Sequence, residues 1–451
     1  SRRAAISHTG HLTGAETAYD AMFARYGVIR VSDPDEMIAI AAGFCVPRRP
    51  QGERVCVLTG TAGTGAWVAD LCAMQGLQVP PLDPALAADI SEVIPESGAA
   101  VNPIDVTAGI VDDGGLTLAR VLDLLGPREE LDSVILIFSL APVGRIAAFR
   151  PVIEAALSRL GKPLLFVSQT LPHPGNLGEL AALGIWNFSF SGVAQALRAL
   201  ETYRRFQERW QARSFEAGGA AGAAPDLSSH AACRAALRAH GIPLAPDALV
   251  QDADQAAAAA ARLGFPVAVK IQSPDIPHKT EAGGVVLGLA DETAVREATR
   301  RVLDNARRHA PGACINGVLV QKMAAAGHEV IIGAIRDPDF GPLLMLGLGG
   351  IHVEVLGDTV FEPVPLGPVE AAAMIRRLRA VRLLDGVRGA LPADIAALAD
   401  LLVKTSRLLE AAGGTVSELE FNPVLVHPAG QGVTVVDALV ATHAPQAAPH
   451  G

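Results

Sequence analysis

The chain has 451 residues, 50% of them hydrophobic and 19% charged, with a net charge of -10. That length suits several domains at roughly 150 residues each, and every one can bury a core. The acidic balance, without a basic stripe or a basic run interleaved with aromatics, excludes a nucleic-acid footprint. No apolar run reaches the ~20 residues of a membrane span, and "SRRAAISH" lacks the apolar core of a secretory leader. Five scattered cysteines without a CxxC pair read as reduced thiols of a cytoplasmic protein, neither a disulfide framework nor a zinc site. A start without Met, inside what reads as an element, makes the chain look like part of something longer.

"AAISHTGHLTG" (4–14) places His8 among Ser, Thr and Gly, with little apolar mass to bury it. An imidazole is a good nucleophile near neutral pH, and Ser7, Thr9 and Gly10 leave room for a phosphate. From residue 28, strand-like runs "RVCVLTG" (54–60), "SVILIFSL" (133–140) and "KPLLFVSQ" (162–169) alternate with helical stretches such as "GAWVADLCAMQG" (65–76) and "RIAAFRPVIEAALSRLG" (145–161). Buried strands alternating with helices predict a parallel doubly wound sheet. "TGTAGTG" (59–65) joins a strand to a helix, so Gly60, Thr61, Gly63, Thr64 and Gly65 are candidates for an anion cradle. Free amides and the dipole there favour negative charge by roughly 0.3–1 kcal/mol. Taken alone, the loop is a routine strand-to-helix turn.

"LRALETYRRFQERWQARS" (197–214) reads as a closing helix, and "FEAGGAAGAAPDLSSH" (215–230) as a linker. Beyond it the strands become denser, predicting an α+β domain. No Walker A motif is present. "VAVKIQSPDIPHKTEAGGVVLG" (267–288) puts Lys270 at the end of a strand, before a loop holding His278, Lys279, Thr280, Gly283 and Gly284. Such a hairpin can neutralise and wrap a triphosphate, or it can be a surface hairpin with a solvated lysine. In "ELEFNPVLV" Glu418, Glu420 and Asn422 share one strand face. "VTVVDALV" supplies Asp437 on a neighbouring strand. These are hard oxygen donors suited to magnesium carrying phosphates, or simply the polar side of a half-exposed strand. Pro423 in mid-strand signals a special backbone.

Four blocks carry a wider likeness: "VKIQSPDIPHKTEAGGV", "LVQKMAAAGHEVIIGAIRDPDFGPLLMLGLGGIHVEVLGD", "LLDGVRG" and "ELEFNPVLV…VVDALV". In order, they resemble the ATP-grasp domain of the ADP-forming acyl-CoA synthetases, or acetate-CoA ligases, relatives of succinyl-CoA synthetase. "SHTGHLTGAETAYDAMFARYGVIRV" resembles the same family's phosphohistidine segment, and "NPIDVT" (102–107) belongs to a stretch resembling its CoA-ligase domain. The resemblance implies a phosphohistidine segment over 1–27, ending a truncated domain. It further implies a flavodoxin-like CoA-ligase domain over 28–207, a linker over 208–227 and an ATP-grasp domain over 228–451.

It also implies roles. His8, not its neighbour His11, falls on the phosphorylated histidine. His278 relays the phosphoryl group or merely hydrogen-bonds phosphate. Lys270 contacts ATP phosphates, and Lys279, Gly283 and Gly284 belong to the same loop. Val320, Gln321, Lys322 and Met323 form the adenine hinge, and Glu329 faces the nucleotide. Arg388 is a further phosphate contact. Asn422 and Asp437 hold magnesium, with Glu420 beside the reacting phosphate. The glycine loop is one of two helix starts that hold the phosphohistidine.

Three departures accompany the likeness. The family's N-terminal CoA-binding domain is absent, as is the glutamate expected to orient the phosphohistidine, and "TGTAGTG" replaces an Asn-Ala-Gly-Gly type of loop. The expected activity joins a carboxylic acid to CoA with ATP, through a phosphohistidine and an acyl phosphate. Mg2+ is the expected cofactor, with no nucleic-acid or membrane partner and a homo-oligomer at full length. The alternatives are the ligand-sensing part of a related protein lysine acetyltransferase, and a non-catalytic nucleotide-binding scaffold.

Overall fold

The computed structural model describes residues 15–107, 113–215, 224–276, 279–349, 357–386 and 391–442. It divides into two compact units, Tyr26–Gln211 on the one hand and Ser1–Arg25 with Ala212–Gly451 on the other. The chain enters through α1 (Ala15–Tyr26). The first unit then runs α2 (Pro34–Phe44), β1 (Val55–Thr59), α3 (Ala62–Met74), α4 (Pro84–Ser91), β2 (Ile104–Asp105) and α5 (Leu116–Leu125). It continues with β3 (Ser133–Phe138), α6 (Arg145–Leu160), β4 (Leu164–Ser168), α7 (Pro174–Ala182), β5 (Asn187–Phe188) and α8 (Phe190–Ala212).

Its five strands are all parallel, in the order β2-β1-β3-β4-β5. This is the flavodoxin-like doubly wound order, whose ligand crevice lies beyond the carboxyl ends of β1 and β3. β1 and β3 are buried at every position, as parallel strands covered on both faces must be. Cys56, Leu58 and Leu136 meet Leu86, Leu122 and Ile153 on one side. On the other, Val55, Val57 and Ile135 meet Val68, Cys72 and Leu197. Burial pushes the thiols of Cys56 and Cys72 up to about 12, so neither is a nucleophile. All five cysteines are free. Asn102 of the NPIDVT stretch laces the sheet together. Its Oδ1 accepts from Val57 N–H at 2.9 Å, and its Nδ2 donates to the carbonyls of Val55 and Pro80, each at 2.9 Å.

The second unit continues with α9 (His230–Ala239), β6 (Asp247–Val250), α10 (Ala253–Leu263), β7 (Val267–Gln272), β8 (Val285–Leu289), α11 (Glu292–His309) and β9 (Gly317–Lys322). There follow β10 (His328–Asp337), β11 (Gly341–Leu348), β12 (Thr359–Pro363), α12 (Pro368–Arg376), α13 (Ile395–Ala411), β13 (Val416–Val426), β14 (Val433–Val435) and β15 (Ala438–Thr442). Two antiparallel sheets result. The smaller has the order β6-β9-β7-β8, and the larger β12-β11-β10-β13-β14, with β15 also paired to β13. Helices α10 and α11 cover one face of the small sheet, setting Ala256, Ala260, Val295 and Val302 against Val267, Val269 and Val320. Helices α12 and α13 cover one face of the large sheet, with Met374, Leu398 and Leu402 on Val330, Ile332 and Phe421.

α1 takes the opposite face of the large sheet. Ala21 packs on Ile331, Met345 and Phe361, and Tyr19 meets the ring of Phe340 edge-on at 4.9 Å. Arg25 at its end donates to the carbonyls of Pro363 and Pro365 and lies 4.1 Å over the Phe215 ring.

One buried carboxylate ties the start of α13 to the turn between β13 and β14. Asp394 caps α13 through Ala397 N–H at 3.0 Å and accepts from Gly430 and Gly432 N–H, each at 2.9 Å. The amides of Ala397 and Gly432, aided by Gly430 and opposed by partial burial, hold its carboxyl below the ordinary 3.8. Losing the cap costs about 1 kcal/mol, and the part-buried hydrogen bonds from Gly430 and Gly432 are worth about 0.5–1.5 kcal/mol each. Asp394→Ala is therefore expected to lose about 2–3 kcal/mol in urea unfolding at pH 7. Because the folded pKa is depressed, that contribution is whole above 3.8 and disappears as pH falls through the folded value. The gap between wild type and variant should close in acid.

Candidate functional site

Alternation along β7 decides which side chains enter the cleft of the second unit. Val267, Val269 and Ile271 face the helices, so Ala268, Lys270 and Gln272 face away from them. Lys270 sits inside the strand, paired with Leu319 and Val285, not at its end. The strand carries on because Ile271 still has a core to fill. Lys270 is 6% exposed. Burial, reinforced by Lys279 and Arg234 and opposed by Asp437 and Asp247, lowers its pKa below 10.5.

Lys279 joins it. Its Nζ lies 3.3 Å from Asp437 Oδ2, and Lys270 Nζ lies 3.9 Å from the same atom. Two glycines make this return possible. Gly284 N–H donates to Lys279 O at 2.7 Å, and a Cβ at Gly284 would stand 2.5 Å from Ile271 Cγ2. Gly283 has φ +60° and its carbonyl accepts from Asn305 Nδ2 at 2.9 Å. The pair builds the turn that presents Lys279.

On the large sheet, Glu420 and Asn422 share a face, as the two-residue spacing requires. Leu419 and Phe421 between and beside them fill the α13 side, and Asn422 Nδ2 donates to Glu420 Oε1 at 3.1 Å. At Pro423 the register slips, so that Asn422 and Pro423 together oppose Ile331 of β10. This is a bulge. Asp437 does not lie on a continuous neighbouring strand. The run "VTVVDALV" breaks into β14 and β15, and Asp437 occupies the gap. Asn422 N–H donates to Asp437 O at 3.1 Å and Val436 N–H to Pro423 O at 3.0 Å, bringing Asn422 and Asp437 side by side. Burial pushes the Asp437 carboxyl up, but Lys279, Lys270 and the N–H of Ala438 outweigh it and hold the pKa below 3.8. It stays ionised.

The donor set suits a hard divalent cation. Asn422 spends its nitrogen on Glu420 and keeps Oδ1 as a ligand beside an ionised carboxylate. Among the described residues no three His, Cys, Asp or Glu side chains converge on one point. An ion here would complete its shell with phosphate oxygens and water, as magnesium does.

The remaining residues of this unit lie as follows. Val320 is fully buried in the core of the small sheet. Gln321 Nε2 donates to Val436 O at 2.8 Å. Lys322 Nζ donates to the carbonyls of Gly264 and Phe265 at 2.8 and 2.7 Å, capping the end of α10. Met323 N–H donates to Pro266 O at 3.1 Å. Glu329 is exposed, its carbonyl bonded to Gly349 N–H at 2.7 Å. His8, His278 and Arg388 lie outside the described residues.

In the first unit, the glycine loop sits at the carboxyl end of β1, on the predicted crevice. Thr61 is the N-cap of α3, leaving the amides that follow it without intrahelical acceptors. Gly65 lets α3 approach the sheet, since a Cβ there would meet Thr59 Cγ2 at 2.7 Å. A Cβ at Gly60 would meet the Phe138 ring at 3.1 Å, whereas Gly63 has open space. The threonines cross-link the loop. Thr64 Oγ1 lies 2.6 Å from Thr61 Oγ1 and 3.1 Å from Thr59 Oγ1, and the Thr61 hydroxyl donates to Gln169 Oε1 at 3.1 Å.

Comparison with known proteins now bears on this geometry. Family models match an ATP-grasp domain over 222–441, a succinyl-CoA ligase like flavodoxin domain over 1–44 and a ligase-CoA domain over 55–138. The ADP-forming acetate–CoA ligase I of Archaeoglobus fulgidus is 34% identical over 455 residues, covering 96% of this chain and 63% of that protein. The beta subunit of the ADP-forming acetate–CoA ligase II of Pyrococcus furiosus is 40% identical over 204 residues, covering 45% of this chain and 86% of that subunit. The chain belongs to the ADP-forming acyl-CoA ligase family. It spans 63% of the length of the Archaeoglobus relative. A solved structure of the Ca. Korarchaeum cryptofilum dinucleotide forming acetyl-coenzyme A synthetase 1, in complex with coenzyme A and Ca-AMPCP, is 39% identical. The match covers 47% of this chain and 90% of that one, with a TM-score of 0.45.

Within this acyl-CoA ligase fold two features escaped the sequence. Arg234 on α9 pairs with the buried Asp247, which also accepts from Arg238 at 2.9 Å. Arg234 thereby adds positive charge felt by Lys270. The spacing of Arg234 and Asp247 has no local signature. Gln169 did have one, standing just past β4 at the carboxyl edge of a parallel sheet, where ligands bind.

Proposed function

We propose that the chain performs the phosphoryl-transfer chemistry of an acid–CoA ligase that forms ADP. ATP is bound in the ATP-grasp unit, where Lys270 and Lys279 neutralise its phosphates. A histidine nitrogen attacks the γ-phosphorus, the bond to the β-phosphate oxygen breaks, and ADP leaves. His278 relays the group and His8 carries it. A carboxylate oxygen of the acid then attacks phospho-His8, breaking the N–P bond and releasing an acyl phosphate. Finally CoA thiolate attacks the acyl carbon and expels phosphate. Asn422 and Asp437 would hold magnesium, which would supply charge neutralisation for a transfer that depends on positioning and electrostatics. The first-unit loop offers a phosphate the amides of a helix start.

The observation that carries this reading is the seat of α1. The helix following His8 packs through Ala21 on Ile331, Met345 and Phe361. Met345 lies opposite Gly333, which in turn pairs with Glu420. α1 is therefore held on the sheet face that carries Glu420 and Asn422. His8 precedes Ala15 by seven residues, a tether of at most about 25 Å at 3.3–3.6 Å per residue.

The test uses γ-labelled ATP with Mg2+. The protein should take up phosphate that is acid-labile and base-stable, recovered in the tryptic peptide that follows Arg3 and ends at Arg25. Absence of such label, with nucleotide still bound, would leave a nucleotide-binding scaffold and end the proposal.

A further inference from the structure

Gln321 lies on the strand that the family resemblance assigns to the adenine base, yet its side chain is committed elsewhere. It is 2% exposed. Its neighbour Val320 faces the helices of the small sheet, so Gln321 faces the cleft, on the same side as Lys270. From there Nε2 donates to Val436 O at 2.8 Å. That carbonyl belongs to the peptide joining Val436 to Asp437, in the gap between β14 and β15, opposite Pro423, which has no N–H to offer it. We propose that Gln321 is a positioning residue for Asp437, fixing the Val436–Asp437 peptide and hence the carboxylate that Lys279 and Lys270 approach.

The inference rests on the reading of Asp437 as a magnesium ligand. Backbone bonds from Val436 N–H to Pro423 O and from Asn422 N–H to Asp437 O, at 3.0 and 3.1 Å, hold the gap from the large-sheet side. Gln321 holds it from the small sheet. The strand offered to the nucleotide base and the carboxylate offered to its metal are thus joined by one hydrogen bond. Releasing the carbonyl lets that peptide rotate, and magnesium tolerates little departure from octahedral geometry.

Outer partners of metal ligands change metal affinity by about 10–100-fold. Gln321→Met keeps the side chain's length and removes the donor. Gln321→Glu keeps its shape and places a carboxylate against the carbonyl. Mn2+ binding to the ADP-saturated protein, read by electron paramagnetic resonance, is expected to weaken at least about tenfold in either folded variant. ADP affinity in EDTA, read by calorimetry, should change by less than about twofold, because no base contact is lost. A drop in metal-free ADP affinity with Mn2+ affinity unchanged would make Gln321 a base contact and overturn the inference. So would wild-type values for both. Asp437→Asn separates the two levels: if it leaves Mn2+ affinity unchanged, the metal-ligand reading itself fails, whatever Gln321 does.

Discussion

His8→Ala is expected to abolish acid-labile labelling from γ-labelled ATP at the carrier site and to lower turnover of the labelled phosphoryl onto an acid by at least about 10³. Removing a covalent nucleophile takes away the intermediate itself, and such losses run to 10³–10⁶. Nucleotide affinity should not move, because Lys270, Lys279 and Asp437 form their own cluster on β7, the Gly283–Gly284 turn and the β14–β15 gap. His11→Ala should label normally, since only one imidazole needs to store the group. His278→Ala distinguishes relay from contact. If His278 relays, label disappears from residues 4–25 although His8 is intact; if it only touches phosphate, label arrives there slowly. Full labelling of the His8→Ala,His278→Ala double variant would contradict the scheme.

The parallel unit was readable because its central strands are buried on both faces. "VCVLT" and "SVILIF" are buried at every position and apolar except for Thr59 and Ser133 at their ends, and a short apolar run of this length is a strand signal. β2 and β5 have two residues each, too few for any pattern. In the second unit the spacing of the Glu420 carboxylate and the Asn422 amide was visible, since strand alternation is local. The break at Asp437 was not. "VTVVDALV" is apolar throughout except for Thr434 and Asp437, and the gap falls opposite Asn422–Pro423 of another strand, where Pro423 has no N–H to continue the ladder. Cross-strand register is a tertiary property. Lys270 was displaced by one assumption, that a lysine ends a buried run; the cleft instead accepts it in mid-strand opposite Leu319. The docking of α1 depends on Phe361 and Met345, more than three hundred residues away, and no local signal announces it.

Lys270→Met should lower the rate of protein phosphorylation by ATP by about 10²–10³, the usual loss when one preorganised charge at a transferring phosphoryl group is removed. The same substitution should raise thermal stability, which makes the pair of measurements discriminating. Burial depresses the pKa of Lys270 below 10.5, so the folded state resists the proton that the unfolded chain holds readily. Between the folded value and 10.5 the unfolded state binds more protons, and stability rises with pH. At neutral pH the charged lysine therefore weighs against folding, and methionine relieves it while filling similar volume. Asp437 retains Lys279 at 3.3 Å, so no carboxylate is stranded. Without nucleotide, the wild-type melting temperature should climb as pH rises through the folded value toward 10.5, and that climb should be smaller in Lys270→Met. A variant that loses both activity and stability would mark Lys270 as a structural anchor of the cleft. Retained stability with lost phosphorylation is what a cation held in an unfavourable place for a bound triphosphate must give.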